Sequence, residues 1–595
     1  MREFTTPAVV EPPTTGGLSD PVWANASSHP DSAVFSRRSG TGWTDVTAAQ
    51  FRDQVAAVAK GLIAAGVEHG DRVALLSPTR YEWTVVDYAI WSIGAATVPV
   101  YETSSESQIQ WILTDSEAVV AVVENARHAE AVEKARPEAP ALQEVWQIES
   151  GALDELAALG SDVTDAELAK RRAAVTPADL ATLIYTSGTT GRPKGCKLTH
   201  ANFLSELTTA VKVLDKLFVL DGSSTLLFLP LAHVFARIIQ VGCVMMRVKL
   251  GHTSDVKNLV ADLGEFKPTF ILSVPRVFEK VFNTASQTAH AGGKGKIFDA
   301  AAETAIAYSQ ALASGRVGLG LRSRHAAYDR LVYRKLRAVL GGQASYAVSG
   351  GAPLGERLGH FFRGIGVPVL EGYGLTETTA ALAVNLPGDL RIGTVGKPLP
   401  GVTVAVAEDG ELLFKGGQVM AGYWRNDEAT AAAIDAGGWF HTGDLGEFDD
   451  DGFIKITGRK KEILVTAGGK NVAPAVLEDR IRLHPLVSQC MVVGDGKPFI
   501  AALVTIDPET IGAWAEQHGK KPDIRSLVDD PDLNAEIQTA IDDANSAVSK
   551  AEAIRKFAIL PTDWTQENGE LSLKLSLRRH IVMNNHATDV EALYT

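Results

Sequence analysis

Short apolar runs alternate with stretches of helical periodicity over the first two thirds of the chain, and this alternation limits the fold more than any other feature. The runs at 71–78, 118–123 and 181–186 have strand length and are mostly apolar. Between such runs, residues 47–66 repeat apolar side chains every three or four positions behind a capping box that begins at Thr47. Strands buried on both faces and joined by helices form parallel sheets. The pattern therefore predicts an α/β fold whose parallel-rich sheets are covered by helices.

The pattern changes after about residue 400, where short strands are separated by turns. A charged link, "GRKKE" (458–462), precedes a helix near Pro474, two strands within 490–507 and a helix near 533–556. We therefore expect a large N-terminal domain and a small α+β C-terminal domain. The predicted domains are residues 1–457, with a helical insertion at 284–340 that is rich in Ala, Arg, Lys and Tyr, and residues 458–595.

The composition excludes several kinds of protein. The net charge is −14 and no long basic run occurs, which argues against a nucleic-acid partner. The three cysteines show no paired spacing, so we expect neither a disulfide framework nor a structural zinc site, as is usual in the cytoplasm. Residues 1–32 are expected to form an extended arm. The apolar stretch 226–246 is interrupted by polar residues, so we interpret it as a buried strand and a core helix rather than a membrane span.

A small, polar, glycine-rich loop follows the apolar strand at 181–186. Loops of this kind expose backbone N–H groups and hydroxyls, and Lys194 adds a positive charge, so the segment suits a polyphosphate. The spacing differs from that of P-loop ATPases, because Gly195 rather than Ser or Thr follows the lysine. The candidate phosphate contacts are Thr186, Ser187, Gly188, Thr189, Thr190, Gly191 and Lys194.

Six motifs in order give the loop its context. They are "YTSGTTGRPKG" (185–195), "LPLAH" (229–233), "SGGAP" (349–353), "EGYGLTET" (371–378), "WFHTGDLG" (439–446) and "GRKKE" (458–462). With these motifs the chain resembles the AMP-forming acyl-adenylating enzymes over nearly its whole length. Its length and the insertion at 284–340 are most similar to those of bacterial, in particular actinobacterial, long-chain fatty acyl-CoA synthetases.

The resemblance implies a ligase that uses ATP, Mg²⁺ and coenzyme A. A long-chain fatty acid would attack the α-phosphate of ATP to give acyl-AMP and pyrophosphate, and a thiol would then displace AMP. No protein nucleophile is needed, because positioning and charge neutralisation can supply much of the catalysis.

The resemblance also assigns roles to residues in the motifs. Thr376 would contact the α-phosphate, Glu377 would bind Mg²⁺, and His233 would lie beside the carboxylate. The nucleoside would contact Gly350, Gly351, Ala352, Pro353, Gly372, Tyr373, Asp444 and Arg459. Arg237 departs from the pattern of long-chain relatives that place an aromatic gate at this position, so we do not carry over that gate.

The resemblance implies that the small C-terminal domain is mobile and changes its orientation between the two half-reactions. Two features of this domain concern that change. Lys461 occupies the family's hinge position, although an exposed lysine with no such role is an equal alternative. After rotation of the domain, Gly468 and Gly469 would approach the pantetheine of coenzyme A, since glycine allows close backbone contact.

The adenylation lysine usual in the family has no direct counterpart here. Its ungapped position falls on Ser576, and the nearest lysine is Lys574, two residues away on the same side of an extended chain. We favour Lys574 as the catalytic residue. The alternative is that Lys574 is a surface lysine and that adenylation is weakened.

Three functions are compatible with these residues. The first is ligation of a long-chain fatty acid to coenzyme A, the second is transfer of the same adenylate to a carrier-protein thiol, and the third is a non-enzymatic nucleotide- and lipid-binding protein. Peripheral contact with the inner face of a membrane would suit a lipid substrate, and the similar enzymes are often homodimers.

Overall fold

The computed structural model describes residues 2–40, 42–186, 192–219, 222–255, 258–572 and 577–595. The predicted α/β class is confirmed. The largest sheet has strand order β7-β6-β4-β5-β8-β9 and is parallel except for the last pair. Its strands are β4 (Arg72–Leu76), β5 (Ala96–Val100), β6 (Val120–Val123), β7 (Glu144–Gln147), β8 (Leu180–Thr186) and β9 (Lys194–Thr199). The prediction of buried strands at 71–78, 118–123 and 181–186 is therefore correct.

Two further sheets complete the α/β part. One has the order β10-β11-β2-β3 and the other β12-β13-β14-β15-β16, whose first three strands are parallel. The first contains β2 (Ala33–Ser39), β3 (Gly42–Thr47), β10 (Ser224–Leu227) and β11 (Lys249–His252). The second contains β12 (Phe270–Ser273), β13 (Tyr346–Ser349), β14 (Val369–Tyr373), β15 (Ala383–Val384) and β16 (Lys397–Pro398).

Helices cover these sheets. They are α1 (Asp20–Ser28), α2 (Ala48–Ala64), α3 (Tyr81–Ser92), α4 (Glu106–Ser116), α5 (Ala126–Ala135), α6 (Ala152–Leu159), α7 (Asp165–Ala173), α8 (His200–Val213), α9 (Asp215–Phe218), α10 (Val234–Met246), α11 (Leu259–Phe266), α12 (Pro275–Ala291), α13 (Gly295–Ala313), α14 (Leu319–Tyr328), α15 (Arg334–Val339), α16 (Glu356–Gly364) and α17 (Asp427–Ala433). The Thr47–Gln50 capping box of α2 forms as predicted, with both reciprocal hydrogen bonds present. Residues 226–246 are divided between β10 and α10, so the strand-and-helix interpretation is correct.

An antiparallel sheet occupies much of the region after residue 400. Its order is β1-β17-β18-β19-β20, with β1 (Arg2–Thr5), β17 (Thr403–Val406), β18 (Glu411–Lys415), β19 (Phe440–Phe448) and β20 (Ile454–Arg459). The expectation of an extended arm at 1–32 is wrong in part, because β1 pairs with β17 and residues 20–28 form α1. Pro21, at the first turn of α1, is compatible with a helix start, since its missing N–H is not needed there.

The C-terminal part has its own hydrophobic core around a three-stranded sheet. Its elements are β21 (Leu464–Val465), β22 (Asn471–Val472), α18 (Pro474–Ile481), β23 (Val487–Val493), β24 (Ile500–Ile506), α19 (Ile511–Gln517), α20 (Ile524–Leu527), α21 (Pro531–Asn545), β25 (Ile554–Leu560), α22 (Arg579–Asn585) and α23 (Ala587–Ala592). The single helix predicted near 533–556 is wrong at its end. The side chain of Asn545 exchanges hydrogen bonds with the backbone of Ile554, which fixes the turn that leads into β25.

Two points bear on the predicted domain organisation. Strand β20 runs through the predicted boundary at 457/458, and α12 through α15 contain nearly all of the predicted insertion at 284–340. Among the described residues, no helix combines the length and apolar character that crossing a bilayer would require.

Candidate active site

A cavity of about 1700 Å³ lies at the carboxyl ends of parallel strands and extends to the C-terminal part. In α/β folds, ligands bind at this edge of the sheet. Many of the predicted site residues line it. They are Thr186, His233, Gly350, Gly351, Ala352, Pro353, Gly372, Tyr373, Thr376, Asp444, Arg459 and Lys461. Residues that are far apart in the sequence are thus collected in one place.

The register of β13 and β14 explains how two of the motifs meet. Ser349 pairs with Glu371, so "SGGAP" and "EGYG" leave the same edge of the sheet side by side. A Cβ on Gly350 would lie 3.2 Å from the ring of Phe235, and the backbone after β13 can approach that ring because glycine has no side chain. The short glycine-rich segment therefore forms part of the cavity wall.

Asp444, Tyr373 and Arg459 form a hydrogen-bonded group on this wall. The hydroxyl of Tyr373 donates to Oδ2 of Asp444 at 2.6 Å, and Nε of Arg459 lies 3.0 Å from Oδ1. The β19–β20 pairing sets Asp444 opposite Arg459, which accounts for their contact. Burial raises the pKa of Asp444, while Arg459 and Tyr373 act in the opposite direction. The group is a buried acceptor beside an exposed cation, as recognition of hydroxyls next to a phosphate requires.

Glu377 and Lys194 both lie close to Tyr423. The Tyr423 hydroxyl donates to Oε1 of Glu377 at 3.0 Å, and Nζ of Lys194 lies 5.2 Å from the centre of the same ring. Neither Glu377 nor Lys194 belongs to the cavity lining, but Thr376 does. A carboxylate beside this cavity is the kind of oxygen ligand that Mg²⁺ takes, so the residues present fit that ion. A lysine nearby suits a polyphosphate.

The predicted phosphate loop is described only at its ends. Ser187, Gly188, Thr189, Thr190 and Gly191 lie outside the described residues. Thr186 and Lys194 form a pair between β8 and β9, so the two ends of the loop lie next to each other. Thr186 and Pro193, on either side of residues 187–191, line the cavity.

An apolar slot opens from the same cavity between α8 and α10. Its apolar lining side chains are Leu207, Ala210, Val211, Leu214, Phe218, Val234, Phe235, Ile238 and Ile239. His233 caps α10, where its ring accepts a hydrogen bond from the backbone N–H of Phe235 at 3.1 Å. The slot thus reaches the polar part of the cavity at His233. Its walls suit a hydrocarbon chain.

Arg237 faces away from the slot. Its side chain is fully buried, pairs with Asp87 and donates to the hydroxyl of Thr182 at 2.6 Å. It also lies over the rings of Trp83 and Trp91. Arg237 is therefore part of the core, which agrees with the expectation that this position is not an aromatic gate.

The remaining predicted residues lie in the C-terminal part. Lys461 lines the cavity, whereas Gly468 and Gly469 lie in a turn that does not. Their predicted contact with pantetheine concerns a rotated domain and stays a prediction. Lys574 and Ser576 lie outside the described residues, but Ser572 and Leu577 on either side line the cavity.

Two acidic or phenolic groups at the site were not predicted as functional. Glu371 lines the cavity, burial raises its pKa to about 7, and its Oε2 accepts the backbone N–H of Leu354 at 3.0 Å. Tyr423 reaches Glu377 because its backbone forms a bridge with Cys196 in β9. Glu371 lies inside a quoted motif and could have been considered. No local pattern distinguishes Tyr423.

Comparison with known proteins shows that two family models match the chain. The model of the AMP-binding enzyme matches residues 22–424, and that of the AMP-binding enzyme C-terminal domain matches residues 461–595. The chain is 53% identical over 603 residues to the long-chain-fatty-acid–CoA ligase FadD15 of Mycobacterium bovis, with all of both chains covered. It is 30% identical to the peroxisomal long chain acyl-CoA synthetase 7 of Arabidopsis thaliana, over 90% of this chain and 80% of that protein.

Solved structures share the fold. The A-PCP didomain of carboxylic acid reductase from Segniliparus rugosus, in complex with AMP, superposes with a TM-score of 0.75 at 21% identity and covers 97% of this chain and 82% of its own. The O-succinylbenzoate coenzyme A synthetase of Bacillus subtilis, in complex with ATP and magnesium, superposes with a TM-score of 0.67 at 20% identity. The match covers 94% of this chain and 98% of that one.

Proposed function

Because the chain belongs to the AMP-binding enzyme family, we propose that it ligates a long-chain fatty acid to coenzyme A through an acyl-AMP intermediate, using ATP. The observation that carries the proposal is the single cavity in which the Asp444–Tyr373–Arg459 group and the apolar slot meet. The full-length similarity to a long-chain-fatty-acid–CoA ligase supports the choice of acid and of thiol.

The proposed reaction has two steps, adenylation and thioester formation. An oxygen of the fatty-acid carboxylate attacks the α-phosphorus of ATP, and the bond to pyrophosphate breaks. The thiol sulfur of coenzyme A then attacks the acyl carbon, AMP leaves with the bonding electron pair, and the thiol proton is released. Bound Mg²⁺ would neutralise phosphate charge, and Glu377 is the residue that would hold it.

The residues of this chain position the reactants. Asp444 would accept hydrogen bonds from the ribose hydroxyls, and Tyr373 fixes the orientation of its carboxylate. Lys194 and the loop 187–191 would contact the β- and γ-phosphates. His233, at the mouth of the slot, would orient the carboxylate toward the α-phosphate.

Pyrophosphate release with palmitate, with and without coenzyme A, tests the proposal. We expect sustained release that requires Mg²⁺ and coenzyme A, and loss of release in Lys574→Ala. A single burst that coenzyme A does not extend would favour a carrier-protein thiol. No release with any fatty acid would favour the non-enzymatic binding protein. Unchanged turnover in Lys574→Ala would remove that lysine from the mechanism.

The C-terminal domain is proposed to turn at Lys461 between the two steps. The neighbouring Lys460 is held by Asp409 at 2.5 Å and by Glu411 at 3.1 Å, whereas Lys461 lines the cavity. A rigid substitution, Lys461→Pro, should therefore slow thioester formation more than adenylation, with Lys460→Ala as the control. Equal slowing of both half-reactions would contradict a hinge.

The helical insertion at 284–340 is proposed to contact an anionic membrane surface. It contains nine lysines and arginines but three acidic residues, in a chain of net charge −14. Leu319 and Leu331 are 82% and 62% exposed. Within the described part of the chain, Arg322, Arg324 and Arg330 form no ion pair, so their charge is available to lipid headgroups.

Co-sedimentation with vesicles tests this surface. We expect binding to vesicles that contain phosphatidylglycerol, weaker binding to phosphatidylcholine alone, and loss of binding in Leu319→Asp with Leu331→Asp. Equal binding of the double variant would contradict the assignment. Homodimer formation stays a prediction, which sedimentation equilibrium can check.

A further inference from the structure

Glu206 is a carboxyl group in the wall of the apolar slot. It lies on α8 and is 2% exposed. The other α8 and α10 residues that line the cavity are apolar, so Glu206 is the exception on these two helices. A buried carboxyl usually needs partners for both oxygens, since an unpaired buried polar atom is costly.

Among the described residues, only one oxygen of Glu206 has a hydrogen-bond partner. Oε1 accepts the backbone N–H of Ala381 at 3.0 Å, while Oε2 is buried and has none among the described residues. Burial raises the pKa of Glu206 well above its usual value, which favours the neutral form that carries a proton. Because Oε1 is an acceptor, the proton belongs on Oε2, which is then a donor with no acceptor.

We propose that Glu206 donates a hydrogen bond to an oxygen atom on the acyl chain, so that the slot selects hydroxy- or oxo-substituted fatty acids. The inference rests on the proposed function and extends it to the class of acid. An unsubstituted chain would fill the slot and leave the donor without a partner, whereas a hydroxyl or keto oxygen at the right depth would satisfy it. Sites that hydrogen-bond a substrate oxygen discriminate against analogues that lack it.

A purely structural role for Glu206 makes a different prediction. Thr379 and Ala380 both have positive φ, 58° and 109°, which is a strained conformation for residues other than glycine. The bond from Ala381 to Glu206 helps hold this turn, which follows Glu377. If that were the whole role, removing the carboxyl would slow the reaction of every acid by the same factor.

Relative turnover separates the two roles. The experiment measures kcat/KM for pyrophosphate release with palmitate and with its positional monohydroxy and oxo derivatives, in wild type, Glu206→Gln and Glu206→Leu. We expect one derivative to exceed palmitate in wild type. Its advantage should fall about tenfold or more in Glu206→Leu and persist in Glu206→Gln, whose amide can accept from Ala381 and donate to the substrate. Leu207→Ala, at the adjacent wall position, controls for slot volume and should not change the advantage selectively.

Three results would overturn the inference. They are a wild type that prefers palmitate to every derivative, equal ratios in all variants, and a uniform loss in Glu206→Leu. If Glu206→Leu fails to fold, the substrate preferences of the wild type and of Glu206→Gln still test the inference. Turnover of palmitate with no preference refutes only this inference. No turnover of any acid refutes the proposed function as well.

Discussion

Two arginine–carboxylate pairs show how one kind of contact serves different ends in two regions of the molecule. Asp87 and Arg237 lie in the core, where both side chains are fully buried. Asp444 and Arg459 lie on the cavity wall, where the carboxylate is 5% exposed and the arginine 52%. Thr97 and Thr182 hydrogen-bond to the core pair, and its complete burial keeps it out of reach of a ligand. The cavity pair keeps a half-exposed cation, so a ligand can reach it.

Breaking the core pair should have the largest effect. Asp87→Ala leaves Arg237 buried without its counter-charge, and such losses cost about 3–5 kcal/mol. We expect a large fall in the thermal midpoint, measured by differential scanning fluorimetry, or loss of soluble protein. The double variant Asp87→Leu with Arg237→Met should recover much of the loss, since it removes both charges. Equal instability of the single and double variants would contradict this account.

Breaking the cavity pair should affect activity instead. Asp444→Ala removes a charged acceptor of the proposed ribose contacts, and hydrogen bonds to charged groups contribute about 1.5–3 kcal/mol. We expect kcat/KM for ATP to fall about 100-fold, with a thermal midpoint near that of wild type. Kinetics of pyrophosphate release at varied ATP concentration provide the measurement. A drop in stability as large as that of Asp87→Ala would erase the distinction between the two pairs.

Acid should destabilise the core through two buried histidines. Burial lowers the pKa of His200 to about 4 and that of His252 to about 3, and both side chains are buried. Unfolded histidine binds a proton below about pH 6.5, whereas these folded histidines do not, so stability should fall as the pH drops from 6.5 toward 4. Each should cost about 1.4 kcal/mol per pH unit in that window. Denaturant unfolding of His252→Gln, compared with wild type at pH 7 and 5, should show a smaller loss of stability in the variant.

The same comparison indicates what the sequence could predict. Asp444 and Arg459 were found because each lies in a motif, and the alternation of apolar runs was enough for the sheets. Asp87 offers no such signal, since a single aspartate in α3 looks like a surface residue until Arg237, 150 positions away, is seen to contact it. Glu206 was missed for a similar reason, because the slot that surrounds it is built by α10 and by the turn at Ala381. Long-range packing decides these positions, and local periodicity does not contain it.

The smallest effect is expected from Tyr373→Phe, which tests how much the cavity pair depends on its neighbour. The substitution removes the hydroxyl that donates to Oδ2 of Asp444 and keeps the ring that packs near Phe414. Since Arg459 still contacts Oδ1, the carboxylate should stay in place with somewhat greater freedom. We expect kcat/KM for ATP to fall about three- to tenfold, as for loss of one hydrogen bond, with palmitate KM unchanged. A fall as large as that of Asp444→Ala would mean that the hydroxyl itself contacts the nucleotide. Tyr373 would then bind the nucleotide together with Asp444 and Arg459.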